Sequence, residues 1–273
     1  MKFPRSTYYK VINHQKSTRE KFNEILDEKI LNIYKDSKKR YGATKIHRAL
    51  DKQGIKVSLK KVQRRMRHLG IYAIVNKKYR PLKSNKCIEQ LPNLIKQDFS
   101  TKSINEKWCG DITYIYVSKE KWTYLASVMD LYSRKIIGYA YGKTMDTSLV
   151  IKAMENAYLN VKETKGIIFH SDLGSQYTSK EFNDLLEVKG IIHSYSNKAN
   201  PYDNACIESF HSILKKEEVY IKKYKDFNEA KISLFEYIES FYNRKRIHSS
   251  LNYLTPQEVE DLCIVSKTFV SVI

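Results

Sequence analysis

GDITYIYVSKEKWTYLASVMDLYSRKIIGYAYG, residues 110–142, sets the fold class of this chain. It holds three runs rich in Ile, Val, Tyr and Thr, at 110–117, 121–130 and 134–142, divided by a few polar residues. β-branched and aromatic residues suit a pleated surface, and such short connections predict an antiparallel meander. Downstream the rhythm changes. Residues 146–161 carry a helical pattern with Asp146 or Thr147 as N-cap, and 166–171 are a fourth strand. A helix over 178–189, a strand over 191–196 and helices over 203–217 and 227–242 follow.

Three antiparallel strands, then helix, strand, helix, strand and helix describe an α/β, ribonuclease-H-like core: a mixed five-stranded sheet flanked by helices. Its first and fourth strands lie side by side and parallel, so each delivers a side chain to one edge. Asp111 is in the first strand, Asp172 ends the fourth within HSDLGSQYTS (170–179), and Glu208 is on the helix after the fifth. Alone, each has an ordinary reading: a strand-edge charge, a turn former beside Gly174, an exposed helix residue. Together they would repel one another unless a cation joined them. Oxygen-only ligands suit Mg²⁺ (or Mn²⁺), and two such ions would serve phosphoryl transfer. His170 and Asn204 flank the acids as candidates to hold the ligands in place. Trp108 and Trp122 read as core anchors.

The charge is unevenly spread. Residues 1–108 hold 28 Lys+Arg against 9 Asp+Glu, while 109–273 hold 21 of each, so the whole net charge of +19 lies in the first part. A basic unit beside a neutral one suggests an anchor for a polyanion, here nucleic acid. Within that unit, 20–36 reads as a helix. Residues 43–52 form a second, stopped by Gly54, and Ser58 caps a third that runs to Leu69. The apolar face of the third is Val62, Met66 and Leu69; its other face carries Lys60, Lys61, Arg64, Arg65 and Arg67. This is the pattern of a helix-turn-helix whose basic helix meets DNA. The expected division is a helical DNA-binding region over 1–75, a basic linker over 76–107 with a short helix near Leu94–Asp98, and the catalytic core over 108–273. Arg244 and Arg246, after the last long helix, are further candidates to track a DNA backbone.

No apolar run approaches the roughly 18 residues of a membrane helix, and MKFPRSTYYK has no apolar signal core. The four cysteines, Cys87, Cys109, Cys206 and Cys263, form no Cys-x-x-Cys pair. A zinc site of the usual spacing is therefore not expected, and a reducing cytoplasm is.

At its acidic residues the chain resembles the Asp-Asp-Glu transposases and retroviral-type integrases. Thirty-five residues separate Asp172 from Glu208, the spacing that names the "D,D-thirty-five-E" group. More narrowly, YGATKIHRAL, WCGDITYI, HSDLGSQYTS, NPYDNACIESF and YNRKRIHSSLNYLTPQEV resemble the second-frame (OrfB) product of the bacterial insertion-sequence family IS-three. The resemblance implies an integrase catalytic core preceded by a helix-turn-helix domain. It also implies a DNA strand transferase acting on terminal inverted repeats and target DNA, first with water and then with a DNA 3′-hydroxyl as nucleophile. Asp111, Asp172 and Glu208 carry over as metal ligands. Lys215, seven residues beyond Glu208, carries over as a contact to terminal DNA. A first-frame (OrfA) protein, separate or fused, and a homo-oligomer on DNA are the implied partners. The family often has glycine where this chain has Ala199. Two other readings stay open: a nuclease of the same fold that cuts without joining, and a catalytically silent DNA-binding regulator.

Overall fold

The computed structural model describes residues 15–74, 91–159, 161–197 and 201–270, the last without side chains at 201, 202 and 266–270. FPRSTYYK, the first half of the expected linker and Ala199 lie outside the described residues. The chain forms two compact units, residues 1–74 and 75–273.

The first unit is three helices, α1 (Thr18–Asp36), α2 (Ala43–Lys52) and α3 (Leu59–His68). A capping box starts α1: Ser17 Oγ accepts from Glu20 N, and the Glu20 carboxylate accepts from Ser17 N at 2.7 Å. Gly54, at φ +78, supplies the left-handed turn after α2, and Ser58 caps α3 through Lys61 N. Leu26, Ile30, Ile46, Leu50, Val62 and Met66 form the small apolar centre.

In the second unit β1 (Lys107–Val117), β2 (Lys121–Asp130) and β3 (Ile136–Gly142) make the antiparallel meander. Then come α4 (Thr147–Tyr158), β4 (Ile168–Ser171), α5 (Lys180–Val188), β5 (Ile192–Tyr195) and α6 (Ala205–Glu217). The sheet order is β3-β2-β1-β4-β5, with β4 parallel to both β1 and β5. Strand alternation separates two faces. Trp108, Ala126 and Val128 join the apolar core with α4 and α5. Asp111 and Ser127, on the opposite parity, face α6. Two glycines permit close approach: a Cβ at Gly138 would stand 2.3 Å from the Ala153 carbonyl oxygen of α4, and one at Gly110 would stand 2.5 Å from the Phe169 ring.

Five features depart from expectation. Residues 91–106 are not free linker: the Pro92 carbonyl accepts from Tyr195 N, Leu94 N donates to Ser194 Oγ, and Ile95 is buried. The short helix expected near Leu94–Asp98 is a turn, closed by Asp98 N on the Ile95 carbonyl. Trp108 is buried, but Trp122 is 56% exposed, packed edgewise against Tyr116 and Tyr114. It lies toward the hairpin end, where the sheet offers it no core to anchor. The expected helix over 227–242 is α7 (Phe227–Phe235) continuing as a π-helical stretch, Glu236–Tyr242. That stretch buries Tyr237, Ile238, Phe241 and Tyr242 together. A last helix, α8 (Pro256–Val270), has no counterpart in the sequence reading.

Candidate active site

β1 and β4 pair with Cys109 opposite His170. Continued two residues, that register sets Asp111 level with Asp172. β4 has by then ended, so Asp172 leaves the sheet edge beside Asp111. Gly174 N donates to Asp172 Oδ1 at 3.0 Å. Gly174 has no positive φ; it is needed because a Cβ there would come within 2.9 Å of Asp172 Oδ1. Glu208 arrives from the first turn of α6.

The three acids feel one another. Asp172 keeps an exposed edge, yet packed chain behind it strips solvent from the carboxyl and, with the charge of Asp111, pushes its pKa up to about 6; the Gly174 N–H opposes this. Glu208 is raised by lost solvation, then by Asp111 and Asp172. Lys215, two turns further along the same face of α6, is lowered by burial while Asp111 pulls it back up. Among the described residues no lysine or arginine forms an ion pair with any of the three acids. Nor do any three His, Cys, Asp or Glu side chains there close into a ready-made metal cage. Carboxylates with no lysine or arginine partner are the oxygen-only type of side chain that could hold a hard cation, one that keeps water and takes phosphate oxygens.

The flanking candidates divide. Asn204 Nδ2 donates to the carbonyl of Gly110 at 3.1 Å, tying the start of α6 to the residue before Asp111. His170 instead lies fully buried between Ser194 Oγ (2.9 Å) and Ser196 Oγ (3.1 Å), with burial holding its pKa down at about 4. It braces β4 against β5.

Two residues of the site were missed from sequence. Asp203, fully buried, accepts from Asn93 Nδ2 (2.8 Å), Gln97 Nε2 (2.9 Å) and Asn197 N (2.7 Å), which fastens the entry segment to the start of α6. His211 Nδ1 lies 3.2 Å from Asp111 Oδ2. The only signal for His211 was its place three residues after Glu208, one helical turn along the same face.

Known proteins share these features. Residues 102–201 match the model of the integrase core domain, 189–256 match a second model of that description, and 21–79 match the HTH-like domain. The transposase for insertion sequence element IS904 of Lactococcus lactis subsp. lactis (strain IL1403) is 40% identical over 238 residues, 87% of this chain and 94% of that protein. Transposase InsF for insertion sequence IS3A of Escherichia coli (strain K12) is 36% identical over 248 residues, 90% of this chain and 85% of that protein. This chain belongs to the IS-three family of insertion-sequence transposases. Among solved structures, the HTLV-2 integrase catalytic core domain in complex with magnesium (trimeric form) aligns with this transposase at a TM-score of 0.43 and 19% identity, over 57% of this chain and 95% of that one.

The basic residues expected to meet DNA also divide. In the helix-turn-helix unit of the transposase, Lys60, Arg64 and Arg67 are exposed on α3. Arg65 turns inward: its Nε donates to Asp27 Oδ1 at 2.6 Å and its Nη2 pairs with Asp27 Oδ2. Lys61 sits over the Phe22 ring at 4.3 Å. In the catalytic unit Arg244 is exposed. Arg246 is 7% exposed and forks onto Glu217, with Nη2 to Oε1 at 2.9 Å and Nε to Oε2 at 3.0 Å. A guanidinium so held is structural, and its expected role on a DNA backbone is replaced by one inside the fold. No helix among the described residues is long and apolar enough to cross a membrane.

Proposed function

We propose that this transposase cuts and joins DNA at the ends of its element by metal-dependent phosphoryl transfer, with Asp111, Asp172 and Glu208 as the metal-holding carboxylates. The observation that carries the reading is the convergence of three carboxylates from β1, the end of β4 and α6, with Asp172 and Glu208 both raised partly by the charge of Asp111. When bound, Mg²⁺ or Mn²⁺, as two ions, would activate the attacking oxygen and offset charge on the leaving one.

The protein's own part is orientation. Ile112 N, at 2.8 Å from Asp111 Oδ1, and Gly174 N hold two of the carboxylates. Asn204 fixes the backbone at Gly110. In the cutting step water forms the new P–O bond as the bond to the 3′-oxygen breaks in line. In the joining step that freed 3′-hydroxyl attacks a second phosphodiester, forming a new P–O bond as that phosphate's own bond to its 3′-oxygen breaks and leaves a second 3′-hydroxyl. Neither step needs a covalent link to protein, so positioning and electrostatics dominate. Lys60, Arg64 and Arg67, with Lys215 and Arg244, are the DNA contacts in this reading. Its partners are a first-frame protein, separate or fused, and further copies of the chain assembled on DNA.

The test is incubation of the full chain with a labelled duplex of the element's terminal repeat, with and without Mg²⁺, alone and with the first-frame protein. Metal-dependent nicking followed by a joined product is expected. Nicking with no joined product in either condition would mean a nuclease. Binding without chemistry in both would mean a regulator.

A further inference from the structure

We infer that His211 is a positioning residue for Asp111, clamping one carboxylate oxygen of the site to the helix that carries Glu208. The inference rests on the metal-site reading above.

His211 is 5% exposed and reaches across two strands. Its Nδ1 lies 3.2 Å from Asp111 Oδ2 on β1, and its Nε2 lies 3.4 Å from Ser127 Oγ on β2. Asp111 and Ser127 are direct partners in the β1–β2 ladder, and Ser127 is fully buried. A carboxylate only accepts, so Nδ1 donates to Asp111; the Ser127 hydroxyl, free to rotate, answers whatever Nε2 presents. The Asp111 carboxylate therefore accepts the Ile112 N–H on Oδ1 and has His211 Nδ1 3.2 Å from Oδ2. Each oxygen keeps lone-pair capacity for another partner, and the carboxylate's rotation is restricted. Because His211 is on α6 one turn after Glu208, the same contact sets the height of Glu208 over the sheet. Outer groups that orient a metal's ligands commonly change metal affinity by about 10- to 100-fold when removed.

The experiment uses the full chain with His211→Phe, His211→Asn and Asp111→Asn. Two quantities are read: Mn²⁺ affinity without DNA, by titration calorimetry, and the Mg²⁺ concentration for half-maximal strand transfer. His211→Phe keeps a ring but removes both polar contacts, and is expected to weaken Mn²⁺ binding about 10-fold and raise the Mg²⁺ requirement in parallel. His211→Asn, whose Nδ2 takes the place of the His Nδ1, restores an N–H donor toward Asp111 and is expected to recover most of both. Wild-type metal binding in His211→Phe, with Asp111→Asn impaired, would overturn the role of His211 alone. Wild-type metal binding and activity in Asp111→Asn would overturn the metal-site reading and this inference with it. Equal impairment of the Phe and Asn variants, with matching losses of metal-free melting temperature, would make His211 a packing residue only. If His211→Phe does not fold, His211→Gln, whose amide falls at the Nε2 position on the Ser127 side rather than at Nδ1, decides in its place.

Discussion

The two units use charge in opposite ways. In the helix-turn-helix unit, basic residues three and four apart on α3 share one surface, so a function can be carried by a single element. In the catalytic unit the acids come from three elements, and Arg246, Glu217 and His211 are drawn into pairs that no single element contains. One surface tolerates substitution because its groups act separately in water; the other does not, because its groups depend on one another's placement.

The sharpest way to break this comparison is at the acids. Asp172→Asn or Glu208→Gln should each lower strand transfer roughly 1000-fold or more, since several kcal/mol of transition-state stabilisation would be lost. Terminal-repeat binding, followed by gel shift, should change little. Near-normal joining by either variant would remove that residue from the site.

Next comes the buried fork. Arg246→Ala leaves Glu217 partly buried without its main partner, and loss of one member of such a pair costs about 3–5 kcal/mol. Urea unfolding should show the loss, whereas Arg244→Ala, at an exposed position, should leave stability nearly unchanged. Equal stabilities for the two variants would contradict the buried role.

On α3 the contrast is between neighbours. Arg64→Ala should reduce the slope of log affinity against log salt by about 0.9, the signature of one lost phosphate contact. Arg65→Ala should instead lower the melting temperature of its unit by breaking the pair with Asp27. A reversed pattern, measured by salt titration and calorimetry, would exchange their roles.

A further contrast concerns acid stability. Burial and then the neighbouring His170 push the His193 pKa from 6.5 to about 3, while its ring bridges Ser171 and Asn183. Between those values the unfolded chain binds a proton that the native chain refuses. Stability should therefore fall as pH drops below about 6.5 and level off near 3. In urea titrations across that range His193→Gln should flatten the slope; an unchanged slope would assign it elsewhere.

Much of this was legible in the chain. The meander was visible because three runs rich in Ile, Val, Tyr and Thr are divided by short polar connections over 110–142, and α2 and α3 because glycine and serine mark their ends. The three acids stood out through their positions at the ends of predicted elements and through motif resemblance. Arg65 and Arg64 look alike in sequence; only the α1 surface, with Asp27 and Phe22 beneath α3, tells them apart. The long helix over 227–242 could not reveal its π-helical half, because seven residues, fewer than two turns, are too few for the wider i→i+5 turn to show in the apolar pattern.

By itself, then, the sequence determined the order of elements, the segregation of positive charge into residues 1–108, and which carboxylates could meet. Those properties are local or additive, set by periodicity, caps and composition. The tertiary structure alone decided that Asp203 fastens residues 93 and 97 to α6, that Arg246 is spent on Glu217, and that His211 rests on Asp111. Each of these joins residues far apart along the chain, and burial makes an unpaired polar group costly enough that the fold, not the local sequence, selects its partner.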